Sequence, residues 1–201
     1  MKYELLGKLS LKCVLVGDTE CGKTALASQI TNKEFKKEYI PTTFDNYAAT
    51  ITVDNVPYHL SMFDTSGRDD SSSSKLRVMS YAKCDLFLVC FSVQSELSLE
   101  HVEERWIPEI RMHHPTTPFI LVGTQIDRRF ETTDIQVVEK INTSPVAGTD
   151  VAMRTKAESY VECSAFSGDG VEDLVKEIIV IVNKSAASEK PKDQCKCCKY
   201  L

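Results

Sequence analysis

The chain has 201 residues, of which 42% are hydrophobic and 26% charged, and it carries a net charge of −5. This acidic balance argues against a general nucleic-acid binder, which would normally show a basic face, and the composition is that of one globular domain with a full core. Because the sequence has neither an apolar run of about eighteen residues nor an apolar N-terminal signal core, we expect synthesis in the cytosol.

The first predicted strand, residues 11–16, leads into a phosphate-loop pattern. The segment Gly17-Asp18-Thr19-Glu20-Cys21-Gly22-Lys23-Thr24 fits G-x-x-x-x-G-K-[ST] at every fixed position, and residues 24–30 then predict a helix. Backbone N–H groups of such a loop surround an anion, Lys23 adds a charge for the outer phosphates of a nucleoside triphosphate, and Thr24 offers its hydroxyl to Mg²⁺. A Gly-rich turn with a surface lysine is the weaker alternative, because strand, loop and helix follow in the required order.

An exposed loop and a hairpin follow the first helix. Residues 32–44 are polar and interrupted by Pro41, which is typical of a loop. Partial alternation over residues 48–53 and 58–63 predicts two paired strands that end at Asp64. This acid is therefore expected at the carboxyl edge of a strand.

The segment after this hairpin is expected to serve the phosphates. Asp64 is suited to hold Mg²⁺ through water while the N–H of Gly67 approaches the terminal phosphate, although an acid in this position also caps turns. Residues 66–74 are rich in serine and lack apolar side chains, so they predict a mobile loop. A short helix that ends at Tyr81 is expected to close this loop.

The second half of the chain alternates strands and helices. Apolar runs at residues 85–91 and 118–123 are typical of strands covered on both faces, and residues 97–112 predict a helix with a kink at Pro108. A last strand at residues 159–163 precedes an apolar helix face formed by Val171, Leu174, Val175, Ile178 and Val182. We therefore predict an α/β fold with a doubly wound, mostly parallel six-stranded sheet and helices on both faces, whose ligand lies beyond the carboxyl ends of the strands.

A tetrapeptide after a buried strand, Thr124-Gln125-Ile126-Asp127, indicates which base is bound. The Asp127 carboxylate can accept two hydrogen bonds from guanine, at N1–H and the 2-amino group, whereas adenine has no such pair of donors. Taken alone, Asp127 is equally well explained as a solvated helix cap. In order with the phosphate loop and Asp64, the tetrapeptide predicts a guanine nucleotide.

These motifs resemble those of the Ras-like small GTPases, and within them of the Rho family, over residues 10–183. Residues 38–47 look like the Rho switch I, Trp106-Ile107-Pro108-Glu109 like the third helix, and Glu162-Cys163-Ser164-Ala165 like the base-binding loop. Residues 128–146 match the Rho insert helix in position and length. The resemblance implies the small G-protein, phosphate-loop NTPase fold with this insert helix, and GTP or GDP with Mg²⁺ as ligands.

The resemblance also assigns roles. It implies that Thr24, Thr42 and Asp64 hold Mg²⁺ in the triphosphate state. Phe35 would pack against guanine, and the backbone of Ala165 would read its carbonyl oxygen. The expected nucleotide-binding residues are Thr19, Glu20, Cys21, Gly22, Lys23, Thr24, Ala25, Phe35, Tyr39, Thr42, Asp64, Gly67, Thr124, Gln125, Asp127, Ser164 and Ala165, with Gln125 standing where many relatives have lysine.

Three departures from the family pattern fall on the chemistry. Thr19 replaces a glycine that leaves room for the catalytic glutamine and an arginine finger, and Arg68, which has only donors, replaces that water-orienting glutamine. Glu20 adds a negative charge beside the phosphate loop, where it would repel phosphate unless it turns to solvent. Taken alone, each change is explained as a tolerated substitution at the protein surface. Together they resemble the GTPase-deficient Rnd branch, so we expect no intact catalytic residue and weak or absent hydrolysis.

The C-terminus carries a lipidation pattern. The last four residues, Cys198-Lys199-Tyr200-Leu201, form a C-a-a-X motif whose leucine predicts geranylgeranylation of Cys198. Palmitoylation of Cys195 or Cys197, together with nearby lysines, would supply the second membrane signal that stable attachment needs. A cysteine-rich metal site is the rival interpretation of this cluster.

The sequence thus predicts an N-terminal extension at residues 1–10, a small GTPase domain at 11–184 and a flexible tail at 185–201. It predicts a Rho-like GTP-binding signalling protein at the cytoplasmic face of a membrane, expected to be the plasma membrane, with a cytosolic pool. Effectors would bind through switch I, whereas exchange factors and activating proteins that read the usual switch II tyrosine find serines here. Two alternatives stay open: a conventional Rho GTPase that hydrolyses GTP to GDP, and a scaffold that binds no nucleotide.

Overall fold

The structure, a computed structural model, describes residues 9–32, 35, 42–130 and 143–188. Several predicted features lie outside these residues. They are residues 1–8 of the N-terminal extension, Tyr39 in switch I, residues 131–142 of the insert helix, and Cys195, Cys197 and Cys198 in the tail.

One sheet runs through the described part of the chain. Its strands are β1 Ser10–Val16, β2 Phe44–Val53, β3 Val56–Thr65, β4 Leu86–Ser92, β5 Phe119–Thr124 and β6 Ser159–Glu162. The six strands lie in the order β2-β3-β1-β4-β5-β6, and only the β2–β3 pair is antiparallel. Parallel neighbours require crossover connections, which helices supply here. The predicted mostly parallel α/β sheet is therefore confirmed.

Helices cover both faces of this sheet. They are α1 Lys23–Asn32, α2 Ser71–Ser80, α3 Glu96–His101, α4 Ile107–His113, α5 Pro145–Thr155 and α6 Val171–Ser188, with a π-helical turn at Val102–Trp106 and a 3₁₀ turn at Ile126–Phe130. Alternate residues of β1 point to opposite faces of the sheet and join two different cores. Cys13 and Leu15 pack with α1 and α6, whereas Val14 and Val16 belong to the core that contains Trp106. None of the helices within the described ranges has the length and apolar composition needed to cross a membrane.

The helix after β3 begins earlier than predicted. Residues 71–74, expected in a mobile loop, form the first turn of α2, so that expectation is wrong for this segment. Asp70 is the N-cap: its Oδ1 accepts from the backbone N–H groups of Ser72 at 3.1 Å and Ser73 at 2.8 Å. A good cap satisfies donors that the first turn leaves unpaired, which here outweighs the low helix propensity of serine.

The hairpin is longer than predicted, and the long helix breaks at a different place. β2 begins at Phe44, because this residue pairs with Thr65 at the far end of β3. The break expected at Pro108 is a π-helical turn that ends two residues earlier, where the N–H of Ile107 donates to Val102, five residues back. Pro108, which has no N–H to donate, lies in the first turn of α4, where none is required.

A buried arginine connects α2 with α4. Arg77 is 1% exposed, and its Nε and Nη2 donate to the two carboxylate oxygens of Glu109 at 2.8 and 2.7 Å. The hydroxyl of Tyr81 donates to the same carboxylate. Burial opposes ionisation of Glu109, but these donors hold its pKa below the ordinary value. The pair is therefore charged, and each partner depends on the other.

We expect Glu109→Gln to destabilise the fold, because it leaves the Arg77 guanidinium buried without a counter-charge. The free energy of unfolding, measured by denaturant titration in saturating Mg²⁺ and GDP, should fall by about 3 kcal/mol. Arg154→Gln is the control, because it breaks an ion pair with Glu103 in which the arginine side chain is 57% exposed, and it should change nothing measurable. Equal stability of the two variants would contradict a structural role for the buried pair.

Candidate nucleotide-binding site

A cavity of about 950 Å³ lies beyond the carboxyl ends of β1, β3 and β5. Most of the residues predicted to bind nucleotide line it. They are Thr19, Glu20, Gly22, Lys23, Thr24, Ala25, Phe35, Thr42, Gly67, Thr124, Gln125, Asp127 and Ala165. Cys21, Asp64 and Ser164 are not among its lining residues. Asp64 and Ser164 instead form hydrogen bonds with the lining residues Thr24 and Asp127.

The phosphate loop closes around its own lysine. Lys23 is 6% exposed, and its ammonium donates to the carbonyls of Gly17 at 2.9 Å and Asp18 at 2.6 Å. A side chain at Gly17 would place its Cβ 2.1 Å from the carbonyl oxygen of Cys90, so the loop starts where only glycine fits. The loop therefore holds a buried positive charge at the place where the sequence predicts phosphate.

Three oxygen-bearing side chains meet beside Lys23. The hydroxyl of Thr24 lies 2.9 Å from that of Thr42 and donates to Oδ2 of Asp64 at 2.5 Å. Asp64 is fully buried, and its Oδ1 has no hydrogen-bond partner among the described residues. Burial raises the pKa of Asp64. An unpaired buried carboxylate oxygen next to two hydroxyls fits hydrated Mg²⁺, so these residues suit the metal that the sequence predicts.

The opposite end of the cavity carries the base-reading carboxylate. The hydroxyl of Ser164 donates to Oδ1 of Asp127 at 2.5 Å and fixes that side chain at the cavity wall. Because the 3₁₀ turn begins at Ile126, one residue earlier, Asp127 is not the cap of that turn. Phe35 and Phe166, both partly exposed, meet edge to face with ring centres 5.2 Å apart. Together they give the cavity an aromatic wall beside the carboxylate.

Gln125 connects the base-reading segment with the phosphate loop. Its Nε2 donates to the backbone carbonyl of Glu20 at 2.9 Å, and its Oε1 accepts from the hydroxyl of Ser92 at 2.7 Å. The hydroxyl of Thr124 adds a second connection, because it lies 2.5 Å from the carbonyl oxygen of Cys21. Neutral glutamine thus joins the two loops at the position where many relatives carry lysine.

Sequence reasoning did not identify Phe166 or a second contact between the base-reading segments. Arg129 donates through Nη1 and Nη2 to both carboxylate oxygens of Glu162, at 2.8 and 2.7 Å. Since Arg129 follows Asp127 by two residues and Glu162 precedes Ser164 by two, this ion pair runs beside the Asp127–Ser164 hydrogen bond. The only sequence signal was that both residues flank a predicted site.

The departures from the family pattern meet at the phosphate end. Thr19, Glu20 and Arg68 are all exposed, and Thr19 and Glu20 also line the cavity. Gly67 lies directly on the phosphate loop, since a Cβ added there would be 2.3 Å from the backbone nitrogen of Thr19. Arg68, which replaces the water-orienting glutamine, is therefore the next residue after Gly67, whose backbone lies against that of Thr19.

This combination of a parallel sheet, a phosphate loop around a buried lysine, and an acid poised for Mg²⁺ defines a phosphate-loop nucleotide-binding protein. A model of the Ras family matches residues 12–184, so the chain belongs to the Ras family. It is a small GTP-binding signalling protein. Proteins of this family bind GTP or GDP, generally with Mg²⁺, and generally interact with effectors, exchange factors and activating proteins.

We expect Asp64→Asn to separate stability from metal binding. Since burial raises the pKa of Asp64, its carboxyl favours folding at acid pH, and this contribution is lost as the pH rises through the folded-state pKa. At pH 7 the variant therefore loses an unfavourable buried charge. In GDP with EDTA it should melt at or above the temperature of the parent chain, whereas added Mg²⁺ should raise the melting temperature of the parent more.

Thermal melts with and without Mg²⁺ provide the measurement. Asp150→Asn, an exposed change on α5, is the matched control and should keep the full response to Mg²⁺. A parent-like response in the Asp64→Asn chain would rule out Asp64 as part of the metal site.

Proposed function

We propose that this chain is a Rho-like, membrane-associated GTP-binding signalling protein that hydrolyses little or no GTP and stays largely GTP-bound. The observation that carries the proposal is the contact between Gly67 and the backbone of Thr19. It brings the two residues that differ from the catalytic pattern, Thr19 and Arg68, to one place at the phosphate end. By the family resemblance, the β-branched side chain would fill the space through which an activating group enters, and the arginine would replace the group that orients water.

The chemistry of Arg68 supports the same conclusion. The attacking water needs a group that both orients it and accepts from it, whereas a guanidinium only donates. The backbone carbonyl of Arg68 accepts from Arg77 and from Arg105, each at 3.2 Å, so this part of switch II is fixed by two side chains.

The Rho assignment rests on the resemblance of switch I, the third helix and the base-binding loop. Trp106 of the third-helix motif is fully buried, and Thr42 of switch I lies beside Thr24. We propose that effectors dock on switch I and that the protein acts on the actin cytoskeleton, polarity or morphology. The GTP-bound state would then be regulated by expression, phosphorylation, fast exchange against cellular GTP or lipid cycling rather than by hydrolysis.

Membrane attachment is proposed from the tail. Geranylgeranylated Cys198, with palmitoylated Cys195 or Cys197, would hold the GTPase domain at the cytoplasmic face of a membrane, in our proposal the plasma membrane. The C-a-a-X pattern is the support for this assignment.

Single-turnover hydrolysis of labelled GTP tests the proposal. We expect phosphate release at or below the slow intrinsic level of the family, and no acceleration by a Rho-type activating protein. A correctly placed glutamine and arginine finger contribute about 10³- to 10⁵-fold, so Thr19→Gly with Arg68→Gln should restore measurable hydrolysis. Either change alone should restore less, because both groups share one transition state.

Two results would decide against it. Rapid phosphate release by the parent chain would show a conventional regulated GTPase, whereas a purified chain without bound nucleotide that also fails to bind added GTP would show a scaffold. Asp150→Asn serves as the control for handling, since this exposed position on α5 is remote from the phosphates and should leave the rate unchanged.

Cys198→Ser tests the membrane assignment. Without its prenyl group the chain should move from the membrane to the soluble fraction of cells, because a net charge of −5 disfavours attachment to anionic lipids. Cys195→Ser keeps the C-a-a-X cysteine and should shift the distribution only in part. Retention of Cys198→Ser on membranes at the parent level would disprove prenylation as the anchor.

A further inference from the structure

The side chain of Asp18, the second residue of the phosphate loop, is bound from outside the loop. Its Oδ1 accepts from Nε1 of Trp106 at 2.9 Å, and its Oδ2 accepts from the Nδ1–H tautomer of His101 at 2.7 Å. Each carboxylate oxygen thus has its own N–H donor. Trp106 is fully buried, and the side chains of His101 and Asp18 are 32% and 19% exposed.

The π-helical turn makes this double contact feasible. His101 and Trp106 are five residues apart, and in an α-helix with 3.6 residues per turn such residues point about 140° away from each other. The wider turn at Val102–Trp106, with its hydrogen bond from Ile107 to Val102, brings residues five apart towards one side. Turns of this kind are inserted into α-helices frequently at functional sites.

The backbone of Asp18 connects this contact to the phosphate-binding charge. Its carbonyl oxygen accepts from the ammonium of Lys23 at 2.6 Å, so the residue held by His101 and Trp106 also holds the lysine. An unheld carboxylate in the phosphate loop would repel the phosphates. Bound to two donors on the helix side, the same carboxylate is kept away from them and fixes the loop.

Trp106 also connects the loop to switch II. The guanidinium groups of Arg105 and Arg77 lie 4.3 and 4.9 Å from its ring centre. Arg77 donates to the carbonyl of Ser66 at 2.7 Å, and Arg105 donates to that of Gly67 at 3.3 Å. The indole of Trp106 therefore contacts the phosphate loop through its N–H. Through its ring it contacts Arg77 and Arg105, the two arginines that donate to switch II carbonyls.

We propose that His101 and Trp106 are positioning residues for nucleotide binding, which act by holding Asp18 and, through its carbonyl, Lys23. The proposal rests on the GTP and GDP binding of the family and adds residues that touch no nucleotide. It implies that nucleotide dissociates faster when either donor is removed. It also implies that the effect disappears when Asp18 has no carboxylate to be held.

A double-mutant cycle on the full chain tests this. The dissociation rate of fluorescent GDP in Mg²⁺ should rise about fivefold or more in His101→Ala, because a hydrogen bond to a charged group is lost. Trp106→Phe, which keeps a ring and loses the N–H, should act in the same direction, and His101→Asn, which keeps an N–H donor, should recover part of the loss. In the Asp18→Ala background, His101→Ala should have no further effect.

Glu103→Gln is the matched control, because Glu103 lies in the same π-helical turn but contacts Arg154 instead of Asp18. It should leave the dissociation rate unchanged. A second readout needs no nucleotide: Trp106 is the single tryptophan of the chain, so its emission should shift in Asp18→Ala and not in Glu103→Gln.

The outcomes are distinct. An unchanged rate in His101→Ala, or an equal acceleration with and without the Asp18 carboxylate, overturns the positioning role while the parent chain still binds GDP. A parent chain that binds no GDP overturns the binding function itself, and the positioning role with it. A rate that rises only when Asp18 is intact, with an emission shift in Asp18→Ala, supports the inference.

Discussion

The parallel pairing of β1 with β3 is the constraint on which the site depends. Leu15 lies opposite Asp64 in this register, and the hydroxyl of Thr65 donates to the carbonyl of Leu15 at 2.6 Å. The loops that leave these two strands must therefore start side by side. This places the phosphate loop against Gly67 and the metal-binding acid beside Thr24, so the nucleotide site follows from strand register before any loop conformation is considered.

The two charged groups buried near this register have different roles. Asp64 is enclosed, its Oδ1 has no hydrogen-bond partner among the described residues, and burial raises its pKa. Arg77 is equally enclosed, but its charge is matched by Glu109 and by backbone carbonyls of switch II. The carboxylate of Asp64 suits a metal ligand, whereas Arg77 is paired and fixes the framework around it. A buried charged group with an unpaired oxygen thus marks the site, and a buried ion pair marks the framework that supports it.

The sequence predicted those parts of the fold and site that depend on local pattern. Continuous apolar runs identified β4 and β5, and fixed spacing identified the phosphate loop. The start of α2 was wrong because one capping carboxylate, Asp70, decides it. The contacts of Asp18 with Trp106 and of Arg129 with Glu162 join residues 88 and 33 positions apart, and such pairs become visible only when the sheet brings their elements together. A π-helical turn, likewise, has no recognisable composition.

The bridge made by Gln125 bears on how the walls of the cleft are held together. Because one side chain joins the carbonyl of Glu20 to the hydroxyl of Ser92, the wall that faces the base and the wall that faces the phosphates cannot separate without breaking it. The side chain of Gln125 therefore joins these two walls of the cleft to each other. On the switch side, the described residues Phe35 and Thr42 contact the rest of the cleft through a ring contact with Phe166 and a pair of hydroxyls with Thr24. Among the described residues, side chains thus tie the base and phosphate walls of the cleft to each other as well as to the switch side.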